Sequence, residues 1–126
     1  MHTDNAPYDL PVDRVIQATI HRWLCKACAG FTAAPMRFVS LANGGFFVAP
    51  GVRTLQVRID ARRCDVSMSG DAAGIVATLM SLSELCGHAN RRFDDVAALT
   101  YSDYYHRLHA FASEHAESRA ILAAVD

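Results

Sequence analysis

Phe38-Val-Ser-Leu-Ala-Asn-Gly-Gly-Phe-Phe-Val48 is the stretch that decides the fold, because it predicts a β-hairpin near the middle of the chain. Asn43-Gly44 is a strong hairpin signal, since both residues accept a positive φ. Most of the flanking residues are β-branched or aromatic, which favours strands. Pro50 and Gly51 then close the ribbon.

Downstream of the hairpin, apolar and polar residues alternate. The apolar positions are Leu55, Val57 and Ile59 in residues 54–60, and Cys64, Val66 and Met68 after the polar turn Ala61-Arg-Arg63. Alternation of this kind is typical of strands with one buried face. With the hairpin, it predicts four short antiparallel strands.

An amphipathic helix is predicted upstream of the hairpin. It begins near Pro11, with Asp9 as a plausible cap, and ends at Gly30. Apolar residues recur at three- and four-residue spacing, which places them on one face. They are Val12, Val15, Ile16, Thr19, Ile20, Trp23, Leu24 and Ala27.

Further helices are predicted after the strands. Ser69 caps the first of them, with Asp71 in its first turn, where a carboxylate meets the positive end of the helix dipole. Its residues are apolar nearly all round, so we expect the most buried helix, packed across the sheet and ending at Gly87. A last helical region begins near Thr100 or Ser102 and continues to the end of the sequence.

These elements indicate the α+β class. We expect a small antiparallel sheet of about four strands in a hairpin meander, packed with an N-terminal helix and two or three C-terminal helices. Residues 1–9 are expected to be a loose leader, and residues 10–126 a single domain.

Composition excludes several functional classes. The 126 residues carry a net charge of -1, which predicts neither a basic DNA-coating surface nor an acidic imitation of DNA. The polar N-terminus has no apolar signal-peptide core, and no stretch approaches the roughly 20 apolar residues of a membrane span. We therefore expect a cytoplasmic protein with its four cysteines reduced.

Cys25 and Cys28 have the CxxC spacing of zinc ligands and redox dithiols. A zinc site needs two more ligands, and neither Cys64 nor Cys86 has a second cysteine at that spacing. The pair also falls within or at the end of a predicted helix rather than at a strand-to-helix junction. Structural thiols are favoured, with a small metal- or redox-binding domain as the alternative.

Two other patterns are typical of catalytic or metal sites. His106 and His109 share a predicted helix face but lack the acidic partner of a metalloprotease motif. Asp94, Asp95 and Asp103 lie near tyrosines, and a polar loop leading into a helix cap explains them with fewer assumptions. We assign no catalytic residue and no metal ligand.

Arg58, Arg62 and Arg63 form a small basic cluster that acidic residues flank. A solvated hairpin tip is favoured for it, and a weak nucleic-acid-binding module is the alternative. Gly44-Gly45 lacks the downstream Gly-Lys-Ser/Thr of a phosphate-binding loop, so the hairpin explanation is complete.

Three blocks follow one another in a distinctive order. They are Leu41-Ala-Asn-Gly-Gly-Phe-Phe-Val-Ala-Pro50, Ser69-Gly-Asp-Ala-Ala-Gly-Ile75, and a C-terminal series made of Tyr105-His-Arg-Leu108, His115-Ala-Glu117 and Ala120-Ile-Leu-Ala-Ala-Val-Asp126. In this order they resemble the antirestriction proteins of the ArdB/KlcA type. Those sequences commonly carry an Asn-Gly-Gly-aromatic segment ending in Ala-Pro, a Ser-Ala-Asp-Ala-Ala-Gly-Ile motif, and Tyr-His-x-Leu, His-Pro-Glu and Ala-Ile-x-Ala-Ala-Ile-Asp segments.

The resemblance implies a protein of plasmids and other mobile genetic elements that relieves type I restriction of incoming DNA. It implies a protein partner, either the type I restriction system or its regulators, and no enzymatic activity, cofactor, strong direct DNA binding or membrane. Two departures stand out. Gly30-Phe-Thr-Ala-Ala-Pro-Met-Arg-Phe38 replaces the family's Gly-Gly-Tyr-Trp segment, and Ala116 replaces a helix-breaking proline, which leaves the continuity of the last helices open.

Most residues of these blocks have structural explanations in a turn, a helix start or a packed helix end. Six residues remain as the candidate interaction surface: Asn43, Gly44, Asp71, Tyr105, His106 and Asp126.

Overall fold

A computed structural model describes residues 2–4, 14–29, 31 and 36–126. The helices in these ranges are α1 (Arg14–Ala27), α2 (Gly70–Arg91), α3 (Asp95–Ser113) and α4 (Ser118–Val125). The strands are β1 (His2–Asp4), β2 (Met36–Ser40), β3 (Phe46–Pro50), β4 (Thr54–Ile59) and β5 (Cys64–Ser69). The predicted α+β class is confirmed.

The strands form two antiparallel sheets rather than the single sheet that we expected. One sheet has the order β1-β2-β3, and the other pairs β4 with β5. The first sheet ends at Pro50, after which the chain turns before β4 begins at Thr54. Strand β1 lies inside the predicted leader and pairs with Phe38 to Ser40 of β2.

The predicted hairpin joins β2 to β3, and its turn is longer than a two-residue Asn-Gly turn. The Leu41 N–H donates to the Gly45 oxygen at 2.9 Å, and the Gly44 N–H donates to the Leu41 oxygen at 3.0 Å. Gly44 has a φ of 89°, as a glycine bulge at the end of a hairpin loop requires. Asn43 contributes through its side chain, whose oxygen accepts the Gly45 N–H at 2.9 Å.

Helix α1 packs its predicted apolar face mainly against α2, with a smaller contact to β4. Ile16, Ile20 and Leu24 are buried, whereas Val15 is exposed. The predicted cap at Asp9 and the predicted end at Gly30 lie outside the described residues. After α1, Cys28 forms an isolated antiparallel bridge with Val57 of β4, which connects the helix to the second sheet.

Helix α2 is the most buried helix, as predicted, and it packs against β3 and all three other helices. Its backbone approaches β3 closely: a Cβ on Gly74 would lie 2.3 Å from the Val48 oxygen. The Thr78 hydroxyl accepts the Val48 N–H at 3.2 Å and donates to the Gly74 oxygen at 2.8 Å. The buried positions are Gly70, Ala72, Ala73, Gly74, Ile75, Val76, Ala77, Thr78, Leu79, Ser81, Leu82 and Ala89.

By length and composition alone, α2 is also apolar enough to cross a membrane. Its most apolar 18-residue window has a mean hydropathy of 1.2, and 61% of that window is buried inside the protein. Burial of this extent is typical of the core helix of a globular domain.

The junction between α2 and α3 differs from the prediction. Helix α2 continues through Gly87 to Arg91, and α3 begins at Asp95, so the predicted end at Gly87 and the predicted start near Thr100 are wrong. Contacts between the two helices explain the extension, because Ala89 and Ala98 are buried there. Packing of this kind overrides the weak helix propensity of a glycine.

The last two helices are separate, although no proline stands at Ala116. Helix α3 ends at Ser113, and α4 starts at Ser118. In the turn between them, the Glu117 N–H donates to Nδ1 of His115 at 3.0 Å, and the Ser118 N–H donates to the His115 oxygen at 3.0 Å.

The two glycines within α2 are expected to respond in opposite directions to substitution. Gly74→Ala should lower the free energy of unfolding by about 3 kcal/mol, because the new methyl group meets the β3 backbone. Gly87→Ala should raise it by about 0.5–1 kcal/mol, because among the described residues, apart from the backbone of α2 itself, the new methyl meets no atom closer than Nη1 of Arg91 at 3.5 Å. Urea unfolding of both variants tests this, and equal stabilities would contradict the close approach.

Candidate functional site

The structure separates the six predicted surface residues into three places. Asn43 and Gly44 lie at the hairpin tip, where they contact α3. Tyr105, His106 and Asp126 lie together on the exposed side of α3 and the end of α4. Asp71 lies in the first turn of α2 and pairs with a strand residue. The six residues therefore do not form one continuous site.

Arg107 fastens the hairpin tip to α3, a role that the sequence did not indicate. Its Nη1 donates to the Asn43 main-chain oxygen at 2.8 Å, and its own main-chain oxygen accepts from Nδ2 of Asn43 at 2.8 Å. Asp103, one turn earlier, holds the guanidinium at 3.1 Å. Gly44 leaves room for this contact, since a Cβ there would lie 2.1 Å from Nη1 of Arg107. The tip is thus a docked element.

Tyr105 is the centre of the second group. Its ring stacks on His109 with centroids 5.8 Å apart and meets the edge of His106 at 5.7 Å. Nε2 of His109 lies 3.3 Å from a carboxylate oxygen of Asp126, and Nη1 of Arg62 donates to the main-chain oxygen of Asp126 at 3.3 Å. We call Arg62, Tyr105, His106, His109 and Asp126 the tyrosine cluster.

The tyrosine cluster has a distinct electrostatic character. Burial raises the pKa of Tyr105, the negative charge of Asp126 raises it further, and Arg62 opposes both. The phenol therefore stays protonated and available as a hydrogen-bond donor at neutral pH. The cluster offers stacking surfaces and hydrogen-bonding groups, which suit contact with another molecule.

Asp71 lies apart from the tyrosine cluster. Its carboxylate accepts a hydrogen bond from Nη2 of Arg37 on β2 at 3.1 Å, and both side chains are about half exposed. The position in the first turn of α2 also lets the carboxylate interact with the helix dipole, as predicted. This ion pair connects the start of α2 to the first sheet.

Glu117 closes the start of α2, a role that its place in the His115-Ala-Glu117 block did not indicate. The Ser69 hydroxyl accepts the Ala72 N–H at 3.0 Å, which confirms the predicted cap, and donates to the Glu117 carboxylate. The Ser69 N–H donates to the same carboxylate at 2.9 Å. The hydrogen bond from the Ser69 hydroxyl is the main reason that the pKa of Glu117 is lowered; burial opposes it, and the Ser69 N–H and His115 lower it further.

The CxxC pair is not arranged as a metal or redox site. Cys25 is exposed on α1, whereas Cys28 is buried at the bridge to β4. Burial raises the pKa of Cys28 to about 11, and the neighbouring Cys25 raises it too, so this thiol is not poised to become a thiolate. Among the described residues, no group of three or more His, Cys, Asp or Glu side chains is placed to hold a metal ion.

Other sequence candidates have structural partners. Asp94 caps α3 by accepting the Ala97 N–H at 3.1 Å, and Asp103 holds Arg107. Arg58 pairs with Asp60 at 2.9 Å. Arg62 donates a hydrogen bond to the main-chain oxygen of Asp126, and neither Arg62 nor Arg63 forms an ion pair in the described part of the chain.

The fold and these contacts define a small α+β domain built around one central helix, and known proteins share it. A solved structure superposes with a TM-score of 0.79 at 34% identity, covering 87% of this chain and 76% of the other. It is described as showing that the KlcA and ArdB proteins have a novel fold and antirestriction activity against Type I DNA restriction systems in vivo but not in vitro.

Sequence comparison agrees with the structural similarity. The chain is 40% identical to the antirestriction protein KlcA of Escherichia coli over 111 residues, which are 87% of this chain and 74% of KlcA. It is 32% identical to the uncharacterized protein YafX of Escherichia coli strain K12 over 120 residues, 93% of this chain and 74% of YafX. A model of the antirestriction protein family matches residues 30–126. The chain belongs to the antirestriction protein family.

Replacing Glu117 with glutamine should make the protein less stable at pH 7 by about 1–2 kcal/mol, because a charge-assisted pair of hydrogen bonds to Ser69 is weakened. The folded-state pKa of Glu117 lies below its ordinary value of 4.5, so the carboxylate stabilises the fold above pH 4.5 and this contribution is lost as the pH falls through the folded-state pKa. Wild type and Glu117→Gln should therefore converge in acid.

Urea unfolding at pH 7 and at about pH 3 measures the difference, since the second pH protonates most carboxylates. Glu114→Gln is the matched control, because Glu114 is an exposed glutamate in the same turn. A gap between wild type and Glu117→Gln that persists unchanged in acid would contradict this role.

Proposed function

We propose that this protein relieves type I restriction of incoming DNA inside the cell, as a non-enzymatic antirestriction protein of a mobile genetic element. The observation that carries the proposal is membership of the antirestriction protein family together with the fold of KlcA and ArdB. Its place of action is the cytoplasm, where restriction enzymes meet incoming DNA.

Charge supports a route other than imitation of DNA. A mimic needs many unpaired carboxylates on one surface, whereas the net charge here is -1. Several carboxylates are also engaged within the protein, since Asp71, Asp103 and Asp126 each lie beside a basic side chain. The ion pair of Arg58 with Asp60 and the hydrogen bond from Arg62 to the main chain of Asp126 argue equally against a strong direct contact with DNA.

Recognition of a protein, or an indirect effect on the restriction system, is the remaining route. The KlcA and ArdB proteins have antirestriction activity in vivo but not in vitro. That difference supports a need for a cellular component beyond the restriction enzyme itself, such as a regulator of the type I system. Neither a cofactor nor a catalytic residue is required for such a role.

We assign the contact with that component to the tyrosine cluster and, as a separate second contact, to the hairpin tip. Tyr105, His106 and Asp126 combine aromatic surface with hydrogen-bonding groups, a combination that is common at protein interfaces. Arg107 holds Asn43 and Gly44 against α3, so the tip presents a preformed surface. A preformed surface loses less conformational entropy on binding.

Expression of the protein in a host with a type I restriction system should let unmodified phage form severalfold more plaques. Phage already modified by the same host is the control, because restriction does not act on it and its plating should not change. Equal plating of unmodified phage with and without the protein would contradict the proposal.

His106→Ala should weaken this relief of restriction. His106 is exposed and its ring contacts Tyr105, so its loss removes a surface group while the core stays intact. His88→Ala is the matched control, because His88 is an exposed histidine in the last turn of α2 rather than on α3. The plating assay compares the two variants at equal protein level. If the His106→Ala variant relieves restriction as fully as wild type, the tyrosine cluster is not part of the proposed interface.

A further inference from the structure

Phe93 occupies a backbone position at which glycine is the usual residue. It follows the last turn of α2 with a φ of 59°, in the left-handed region. The Phe93 N–H donates to the Asn90 oxygen at 3.1 Å, and the Asp94 N–H donates to the Ala89 oxygen at 2.9 Å. This is the Schellman arrangement, in which the left-handed residue is usually glycine because a side chain is disfavoured there.

The side chain of Phe93 contributes little to the core, since 89% of the residue is exposed. Two further apolar residues of α3 are exposed close by in the sequence, Val96 at 78% and Leu99 at 71%. These three are half of the six large apolar residues that the described part of the chain leaves exposed. We call Phe93, Val96 and Leu99 the apolar ridge. Clustered exposure of this kind marks a contact surface.

A cleft runs beside the apolar ridge, between the end of α2 and the start of α3. Its volume is about 440 Å³, and Leu99 belongs to both the ridge and the cleft. The other lining residues are Cys86, Asn90, Asp95, Ala98 and Ser102. A projecting ridge next to a concave cleft is a surface that a second copy of itself can match, with each ridge facing the other copy's cleft.

Charges around the apolar ridge are arranged in the same self-complementary way. Arg91 and Arg92 precede Phe93 and Asp95 follows it, and all are exposed. None of these three charged residues forms an ion pair within the described part of the chain. A twofold axis between the ridge and the cleft turns the basic side of one copy toward the acidic side of the other, so opposite charges meet twice.

From this arrangement we infer that the apolar ridge is the contact surface of a homodimer, in which Phe93, Val96 and Leu99 of each copy pack into the cleft of the other. Arg92 of each copy faces Asp95 of the other. The small size of the ridge makes this a weak, concentration-dependent dimer. The inference does not depend on the proposed antirestriction role, because purified protein is sufficient to test it.

Phe93→Gly separates association from folding. Glycine adopts a left-handed backbone without strain, so the variant should unfold at the same temperature as wild type or at a higher one. Its self-association should weaken by at least ~tenfold. Sedimentation equilibrium over a range of protein concentrations measures the dimer, and circular dichroism measures unfolding. Val15→Ser is the matched control, because Val15 is an exposed apolar residue on α1 and its loss should leave the dimer unchanged.

A charge-swap experiment tests the pairing across the twofold axis. The Arg92→Glu variant alone should be monomeric, because the introduced carboxylate would face Asp95 of the other copy. The Asp95→Arg variant alone should also be monomeric, because its introduced arginine would face Arg92 of the other copy. An equimolar mixture of Arg92→Glu and Asp95→Arg should associate again as a mixed dimer, because one of its two contacts then joins the introduced carboxylate to the introduced guanidinium and the other keeps the original pair.

Each outcome bears on the inference. Dimerisation of wild type, its loss in Phe93→Gly and its recovery in the charge-swapped mixture would support it. A wild-type protein that stays monomeric at every concentration overturns it, as does a dimer that Phe93→Gly leaves intact. If monomeric wild type relieves restriction and Phe93→Gly does not, the ridge binds a foreign protein instead, and the homodimer is wrong while the proposed function stands.

Discussion

The close approach of α2 to β3 is the constraint on which the other packing depends. At Gly74 only a hydrogen atom fits between the helix backbone and the strand, and a side chain would meet the carbonyl oxygen of Val48. Thr78 adds hydrogen bonds to both elements at the same contact. Helices α1, α3 and α4 all pack on α2. The distance between α2 and β3 therefore determines how closely the three other helices approach β3.

Sequence patterns predicted the elements in which local and tertiary preferences agree. The hairpin, the alternating strands and the Ser69 cap needed only neighbours in the sequence, and the structure confirms them. The patterns failed where packing between segments that are distant in the sequence determines where a helix ends or begins. Gly87 remains helical because Ala89 is buried beyond it, and α3 starts early because Asp94 caps it and Ala98 is buried against α2. The Asp94 cap is a local signal, but the pattern of a single helix does not show the burial of Ala89 and Ala98 against a second helix.

The candidate site was predicted less completely than the fold, for a related reason. The family blocks identified Tyr105, His106 and Asp126, which the structure places together. They did not identify the partners that position Asp126 and the hairpin tip, because Arg62 meets Asp126, and Arg107 meets Asn43, across 64 residues of sequence. Hydrogen bonds of this type depend on the folded arrangement of the helices and strands, so composition and spacing carry no signal for them.

The hydrogen bonds between Ser69 and Glu117 join residues that are 48 positions apart. The cap of the central helix is therefore completed by a residue that the ribosome adds late, after both sheets and two long helices have been made. Contacts of such sequence separation slow folding, because the chain between them must be ordered first. During synthesis, the domain should reach its final stability only after the turn between α3 and α4 has emerged, which makes a truncated chain a substrate for proteolysis rather than a smaller working protein.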